Sequence, residues 1–152
     1  MRQYLQPVLV TMGLLCLAGG WQAGSAQEKA QSVRTLKVKL NYTGTGKVDE
    51  KHKIFLFLFD TPDFRERGDM PVAVGTAAAK DATASFSNVA KSPVYLIAVY
   101  DPSGEYAGMS VPPSGSSLAL YGDGTGKMAP IAIEEGKTAQ VDLPFDDSIK
   151  MP

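Results

Sequence analysis

The stretch from residue 52 to residue 60, His52-Lys53-Ile54-Phe55-Leu56-Phe57-Leu58-Phe59-Asp60, decides the fold of this chain. Six consecutive apolar residues, three of them Phe, stand between a charged entry and the turn sequence Asp-Thr-Pro-Asp. A run this short, rich in aromatics and followed by turn residues, predicts a β-strand rather than a helix. Because side chains alternate between the two faces of a strand, both faces are apolar and both must be covered. The stretch therefore predicts the central strand of an all-β sandwich.

Other stretches predict strands of two kinds. Residues 36–42 and 82–86 alternate apolar with polar side chains, which is typical of a strand with one wet face. Residues 93–101, PVYLIAVYD, are apolar on both faces and should lie beside or opposite the first such strand. Gly and Pro divide these stretches and no helical spacing is sustained, so we expect a Greek-key sandwich of about seven strands. The remaining strands are expected at 72–79, 130–133 and 138–145, with a short apolar piece at 118–121.

The first 26 residues have the pattern of an export signal. Arg2 supplies a positive charge, residues 8–18 are mostly apolar, and the small residues at 23–26 offer a cleavage site before Gln27. We expect a signal peptide at 1–26, a single β-sandwich domain at 27–152, and a periplasmic or extracellular location. One alternative is a retained membrane anchor, for which the apolar run is short. The other is a lipoprotein modified at Cys16, although Leu15 is not the small residue that lipidation favours.

Removal of this signal changes the composition. Cys16 is the only cysteine, so the mature chain has no thiol for a disulfide, a metal site or a nucleophile. Loss of Arg2 leaves one basic residue fewer than the 15 of the full chain, against 16 acidic ones. No basic patch is visible, so we do not expect nucleic acid as a partner. We also expect no stable membrane insertion after cleavage of the signal. The sequence also predicts no cofactor.

Three segments together resemble a known family. Phe86-Ser87-Asn88-Val89, then residues 95–101, YLIAVYD, then Gly104 are similar to the transthyretin-like (prealbumin-like) sandwich modules, which share this pattern with carboxypeptidase regulatory-like and collagen-adhesin B-type domains. The closing stretch at 138–143 also fits. The chain departs from the family where Ser92-Pro93 replaces the Gly that usually precedes the Tyr. The resemblance implies an immunoglobulin-like or prealbumin-like sandwich, and a shared fold does not fix a function.

The residues do not predict catalysis. His52 is the only histidine; it stands between Lys51 and Lys53, with no visible carboxylate to orient it. The one enzyme of the transthyretin-like fold, hydroxyisourate hydrolase, relies on several His, an Arg and a C-terminal Tyr-Arg-Gly-Ser. This chain has one His and ends Lys150-Met151-Pro152, so the resemblance implies no enzyme. A hydrolase built on acidic loop residues remains the competing class.

Two sets of loop residues are candidate sites. Tyr100, Tyr106 and Tyr121 each stand close to a Gly-bearing turn, where exposed rings would stack on sugars; alternatively, they close the core at the strand ends. The second set consists of acidic residues, because calcium takes carboxylate oxygens from such loops. The candidate metal ligands are Asp101, Glu105 and Asp123.

The expected function is a non-enzymatic exported module that binds envelope polysaccharide or an envelope protein, or a structural accessory subunit of an envelope complex.

Overall fold

The computed structural model describes residues 33–122, 124 and 126–152, which form an all-β sandwich with one short helix. The expected signal at 1–26, the start of the mature chain at Gln27 and the candidate ligand Asp123 lie outside the described residues. No helix among those residues is long and apolar enough to cross a membrane. The elements in chain order are β1 Thr35–Tyr42, β2 Ile54–Phe59, α1 Phe64–Arg67, β3 Ala73–Ala77, β4 Thr83–Phe86, β5 Tyr95–Tyr100, β6 Ser117–Leu120 and β7 Thr138–Phe145.

The seven strands form two sheets, one of three strands in the order β4-β1-β7 and one of four in the order β3-β2-β5-β6. All pairs are antiparallel except β1 with β7, the first and last strands, which run parallel over eight residue pairs. Only β2–β3 and β5–β6 are neighbours both in sequence and in a sheet. The other four connections cross from one sheet to the other, so each sheet is completed by strands from distant parts of the chain.

β1 shows how alternation places one face inside the sandwich. Leu36, Val38 and Leu40 have no solvent exposure, whereas Lys37 and Lys39 between them are exposed. The predicted wet face is therefore confirmed. The buried side chains contribute to an inner core between the two sheets, which consists of Leu36, Val38, Leu40, Tyr42, Ile54, Leu56, Leu58, Ala77, Ala84, Phe86, Val89, Val94, Leu96, Ala98, Tyr100, Ala119, Ile131, Ile133, Leu143 and Phe145.

β2 is the two-faced strand that the sequence predicts. Ile54, Leu56 and Leu58 enter the inner core, and Phe57 and Phe59 point to the opposite face of the four-stranded sheet. β5 lies beside β2 and divides in the same way, so of the two expected placements, beside or opposite, the structure has the first. On the outer face they form a second, outer cluster of Phe57, Phe59, Ile97, Val99, Tyr106 and Leu118, against which Phe55, Phe64, Tyr95, Leu120, Met128 and Met151 pack.

Two local predictions need correction. Residues 130–133 do not form a strand; Ile131 makes a single antiparallel bridge to Val94, with N–O distances of 2.8 and 3.0 Å. The short apolar piece at 118–121 contributes a full strand, β6, which pairs with β5. Both Ile131 and Ile133 are buried, so an alternating apolar pair here marks burial rather than strand pairing.

Candidate functional site

The three candidate tyrosines do not gather at one rim. Tyr100 is 2% exposed in the inner core, where its hydroxyl donates to the carbonyl of Lys47 at 2.9 Å. Tyr106 is 9% exposed in the outer cluster, on the other face of the sheet, and its hydroxyl donates to the carbonyl of Ser110 at 3.0 Å. Tyr121 is half-buried against the inner core. The rings of Tyr100 and Tyr106 are therefore packed within the protein rather than presented to solvent.

Asp101 organises the loop that follows β5. Its carboxylate is buried and accepts hydrogen bonds from the backbone N–H groups of Ser103, Glu105 and Tyr106 at 2.9–3.0 Å, and from the Ser103 hydroxyl at 2.6 Å. Burial alone would raise the pKa of Asp101, but these bonds outweigh it and hold the pKa below its usual value. Both carboxylate oxygens are thus committed to the loop.

Of the other two candidate metal ligands, Asp123 lies outside the described residues. The side chain of Glu105 is exposed on the same loop. No group of three His, Cys, Asp or Glu side chains able to hold a metal ion occurs among the described residues. The calcium hypothesis therefore has no geometric support in this part of the chain.

The single histidine has a carboxylate partner that the sequence analysis missed. Asp49 Oδ1 lies 2.9 Å from His52 Nδ1 and also accepts the backbone N–H groups of Lys51 and His52. A hydrogen bond from Lys47, together with those from His52, holds the pKa of Asp49 well below its usual value. The pair closes the turn between β1 and β2. Among the described residues, the imidazole makes no hydrogen bond to a serine hydroxyl, so a triad is not assembled there.

The densest polar cluster centres on Asp147, just after β7. Asp147 Oδ1 accepts hydrogen bonds from the Tyr42 hydroxyl at 2.7 Å, the Ser117 hydroxyl at 2.6 Å and Lys150 Nζ at 3.2 Å. Its Oδ2 accepts hydrogen bonds from the backbone N–H and the hydroxyl of Thr45. The cluster joins β1, β6 and the C-terminal segment. Sequence reasoning missed it because its members are up to 105 residues apart.

The charges in the Asp147 cluster favour a structural role. The hydrogen bond from Ser117, supported by Tyr42 and Thr45, holds the pKa of Asp147 well below its usual value despite burial. Burial and the bond to Asp147 raise the pKa of Tyr42 well above its usual value, so the phenol stays a donor. Ser117 has no solvent exposure, and its hydroxyl lies between Asp147 and Lys150 Nζ, at 2.6 and 2.7 Å. A substrate from solvent would not reach this hydroxyl.

Exposed apolar side chains occur in two segments that border the outer cluster, β3 with the residue before it and the loop after β5. Val74 of β3 stands opposite Phe57 of β2, so it lies on the outer face, and Val72 precedes it by two residues. From the other side, the loop after β5 lies on Phe55: a β-carbon at Gly108 would come within 2.8 Å of that ring. We call Val72, Val74, Met109 and Val111 the apolar strip. They are 42, 49, 84 and 79% exposed, respectively.

The two edges of the four-stranded sheet differ. β6 is covered by the C-terminal segment, where Leu118 N–H donates to Ile149 O at 2.9 Å and Met151 N–H donates to Ser116 O at 2.8 Å. β3 pairs only with β2 within the described residues. Its sequence from Val72 to Ala79 carries no charge, although charged side chains are a common protection of edge strands. Val72 and Val74 of the apolar strip therefore lie at the less protected edge.

Comparison with known proteins assigns no family. No protein-family model matches the sequence, and no curated protein sequence matches it. A function for this chain therefore has to be argued from its own residues.

Proposed function

We propose that this chain is an exported, non-enzymatic β-sandwich module that binds another protein of the cell envelope through the apolar strip. The observation that carries the proposal is the exposure of Met109 and Val111, at 84 and 79%, together with that of Val72 and Val74. Apolar side chains scattered singly on a surface need no explanation, but a group of them beside an unprotected edge strand is typical of an interaction site. Export rests on the signal pattern of residues 1–26.

Between the two expected ligand classes, the side chains favour protein. Sugar rings stack on exposed aromatic faces, and the rings of Tyr100 and Tyr106 are buried. The exposed groups in the strip are aliphatic or thioether side chains, and methionine is enriched where proteins meet. The outer face of the three-stranded sheet presents Lys, Ser, Thr, Gln and Asp rather than aromatic platforms. We therefore propose an envelope protein, not a polysaccharide, as the partner.

The finer family assignment is a proposal that rests on the resemblance in the sequence. Within the broad immunoglobulin-like class of sandwiches, a constant-type immunoglobulin domain pairs its first strand with its second. Here β1 pairs with β4 and β7, and β2 pairs with β3 and β5. This order differs from the constant-type arrangement, and the resemblance at Phe86-Ser87-Asn88-Val89 and at residues 95–104 is what supports the transthyretin-like module.

The absence of an enzymatic role is also a proposal, supported by the acidic loop residues. Asp101 has its carboxylate saturated by hydrogen bonds from its own loop. A hydrolase would need two carboxylates that converge on a substrate, with one of them free to move a proton. A permanent accessory subunit would use the same apolar strip and would differ from a transient binder only in lifetime. Co-purification at fixed stoichiometry through gel filtration distinguishes these two.

The test is capture of a partner with matched charge variants. Val74→Lys and Met109→Lys each place a cation in the apolar strip, and Ser85→Lys places the same charge on the polar outer face of the other sheet. We expect the wild type and Ser85→Lys to retain the same envelope protein by cross-linking and mass spectrometry. The two strip variants should lose at least about ten-fold in binding, because an unpaired charge would be desolvated in the interface.

Two results would overturn the proposal. Equal retention of the partner by all four proteins, each shown to be folded by circular dichroism, would place the site elsewhere. Binding of purified envelope polysaccharide by the wild type and by the strip variants alike, with no protein captured, would make the partner class wrong.

A further inference from the structure

The C-terminal segment lies along the edge of β6 and is joined to it by hydrogen bonds and one antiparallel bridge. Besides the bonds of Leu118 and Met151 already described, the N–H of Gly115 donates to Met151 O at 3.0 Å. Lys150 forms an antiparallel bridge to Ser117. These bonds occupy the edge of the sheet that would otherwise be open to another strand.

Asp147 fastens this segment to both sheets at once. Its carboxylate accepts hydrogen bonds from Tyr42 and Thr45 on the β1 side and from Ser117 on the β6 side. It also accepts one from Lys150 within the segment itself. Hydrogen bonds to an ionised group are stronger than those between neutral groups. The neighbouring Asp146 is different, because it binds within its own turn, to the backbone N–H of Ser148 at 2.9 Å.

Beyond Asp147 and these hydrogen bonds to β6, the segment buries few apolar side chains. Met151 is half-buried against the outer cluster, whereas Ile149 is 48% exposed and Lys150 is exposed. Parts of a structure with few buried apolar contacts and solvent-accessible hydrogen bonds open locally, at a lower free energy than global unfolding. β2 and β5, with apolar side chains buried on both faces, belong to the stable end of that range.

We infer that residues 147–151 are a conformational latch, locked by Asp147, that opens as a unit and uncovers the edge of β6 while the sandwich stays folded. In the closed state the latch completes the four-stranded sheet at that edge. In the open state the backbone groups of Gly115, Ser116 and Leu118 are exposed together and able to pair with another strand. The latch covers β6, whereas β3, which carries Val74 of the apolar strip, forms the opposite edge of the sheet.

Amide hydrogen exchange of the full mature chain, read residue by residue by NMR, tests the latch. In Asp147→Ala we expect the amides of Gly115, Leu118 and Met151 to exchange at least about ten-fold faster than in the wild type, and by the same factor as one another. Amides of β2 and β5 should keep their wild-type protection. The matched control is Asp146→Ala, which removes the adjacent carboxylate and should leave all three latch amides unchanged.

A second variant keeps the test decisive if Asp147→Ala is broadly destabilised. Met151→Pro removes the N–H that donates to Ser116 O and the side chain that packs against the outer cluster, and it touches nothing in β1. It should speed exchange at Gly115 and Leu118 while β2 and β5 stay protected. Acceleration spread evenly over latch and core in both variants would show that the segment unfolds only with the whole domain, and would overturn the inference. Unchanged exchange at Leu118 in Met151→Pro would overturn it as well.

Discussion

The outer faces of the two sheets contrast sharply. On the three-stranded sheet, Lys37 and Lys39 of β1 stand opposite Ser85 and Thr83 of β4, and these side chains are exposed. On the four-stranded sheet, the outer face is apolar and is covered by segments that are not strands. Phe64 comes from α1, Tyr106 from the loop after β5, Met128 from the loop after β6, and Met151 from the latch.

The difference shows what a continuous apolar strand demands of the rest of the chain. An alternating strand needs one packed face, which the opposite sheet supplies. A strand such as β2, with Leu56 on one face and Phe57 on the other, needs a third layer. Each connection that follows a strand of the four-stranded sheet, except the one after β3, contributes to that layer. Val72 and Val74 of the apolar strip lie on the β3 side, where the connection after the strand adds nothing to the layer, and Met109 and Val111 are exposed on the loop after β5.

The largest effect expected from this comparison is on the covered face. Phe57→Ala should lower the free energy of unfolding by about 3 kcal/mol, because it removes a large buried side chain and leaves a cavity beneath the covering loops. Lys37→Ala, on the bare face, should change it by no more than about 0.5 kcal/mol. Urea unfolding followed by circular dichroism measures both. Similar small effects for the two variants would mean that the covering layer does not exclude water, and the comparison would fail.

The loop that carries Tyr106 onto the covered face depends on Asp101. Asp101→Asn should lower the free energy of unfolding by about 2 kcal/mol, since four hydrogen bonds to a buried carboxylate are weakened or misdirected. Asp142→Asn, the same change on the bare outer face, should stay within about 0.5 kcal/mol. Thermal unfolding of the two variants at neutral pH gives the comparison. An equal loss in both would remove the special role of Asp101.

The pH dependence of that difference has a fixed sign. The pKa of Asp101 is lower in the folded chain than its usual value, so the unfolded chain takes up the proton first as the pH falls. The stabilisation is therefore complete above the ordinary pKa of an aspartic acid, about 3.9, and is lost as the pH falls through the folded-state pKa. The stability gap between the wild type and Asp101→Asn should shrink below pH 4. A gap that widens with acid would contradict the lowered pKa.

The smallest effect concerns a single hydroxyl in the covering layer. Tyr106→Phe should cost about 1 kcal/mol, because the carbonyl of Ser110 loses its donor while the ring keeps its contacts with Phe55 and Phe57. Tyr95→Phe is a suitable control, since Tyr95 packs against the same cluster and its hydroxyl makes no hydrogen bond to the described residues. Calorimetry resolves the difference. An unchanged free energy of unfolding in Tyr106→Phe would indicate that water already hydrogen-bonds to the carbonyl of Ser110.

The sequence was sufficient for the strands whose signal is local. Six apolar residues in a row at 54–59 predict two covered faces, and alternation at 36–42 predicts one, because side-chain direction follows directly from position along a strand. The prediction of a strand at residues 130–133 was wrong for a related reason. Burial of Ile131 and Ile133 produces the same alternation as a strand does, although only one residue pairs.

The polar sites could not be derived in the same way. A Tyr at a strand end beside a Gly-bearing turn looks the same whether it enters the core, as Tyr100 does, or faces solvent. Register decides the matter, and a shift of one residue reverses it. Asp147 stands next to Asp146 in the sequence, yet only Asp147 meets Tyr42, which is 105 residues away. Such clusters depend on which distant strands become neighbours, and no local pattern records that.

The parallel pairing of β1 with β7 has a consequence for the time course of folding. Thr35 lies opposite Thr138, so about 100 residues separate the partners along the chain. Contacts this distant in sequence must overcome the entropy of closing a large loop, which slows folding. A chain that emerges from its N-terminus first carries β1 with one side of its backbone unpaired until β7 arrives. Over that interval the unpaired side of β1 is able to pair with a strand of another chain. A chaperone that protects β1 would therefore act before β7 has been synthesised and has emerged.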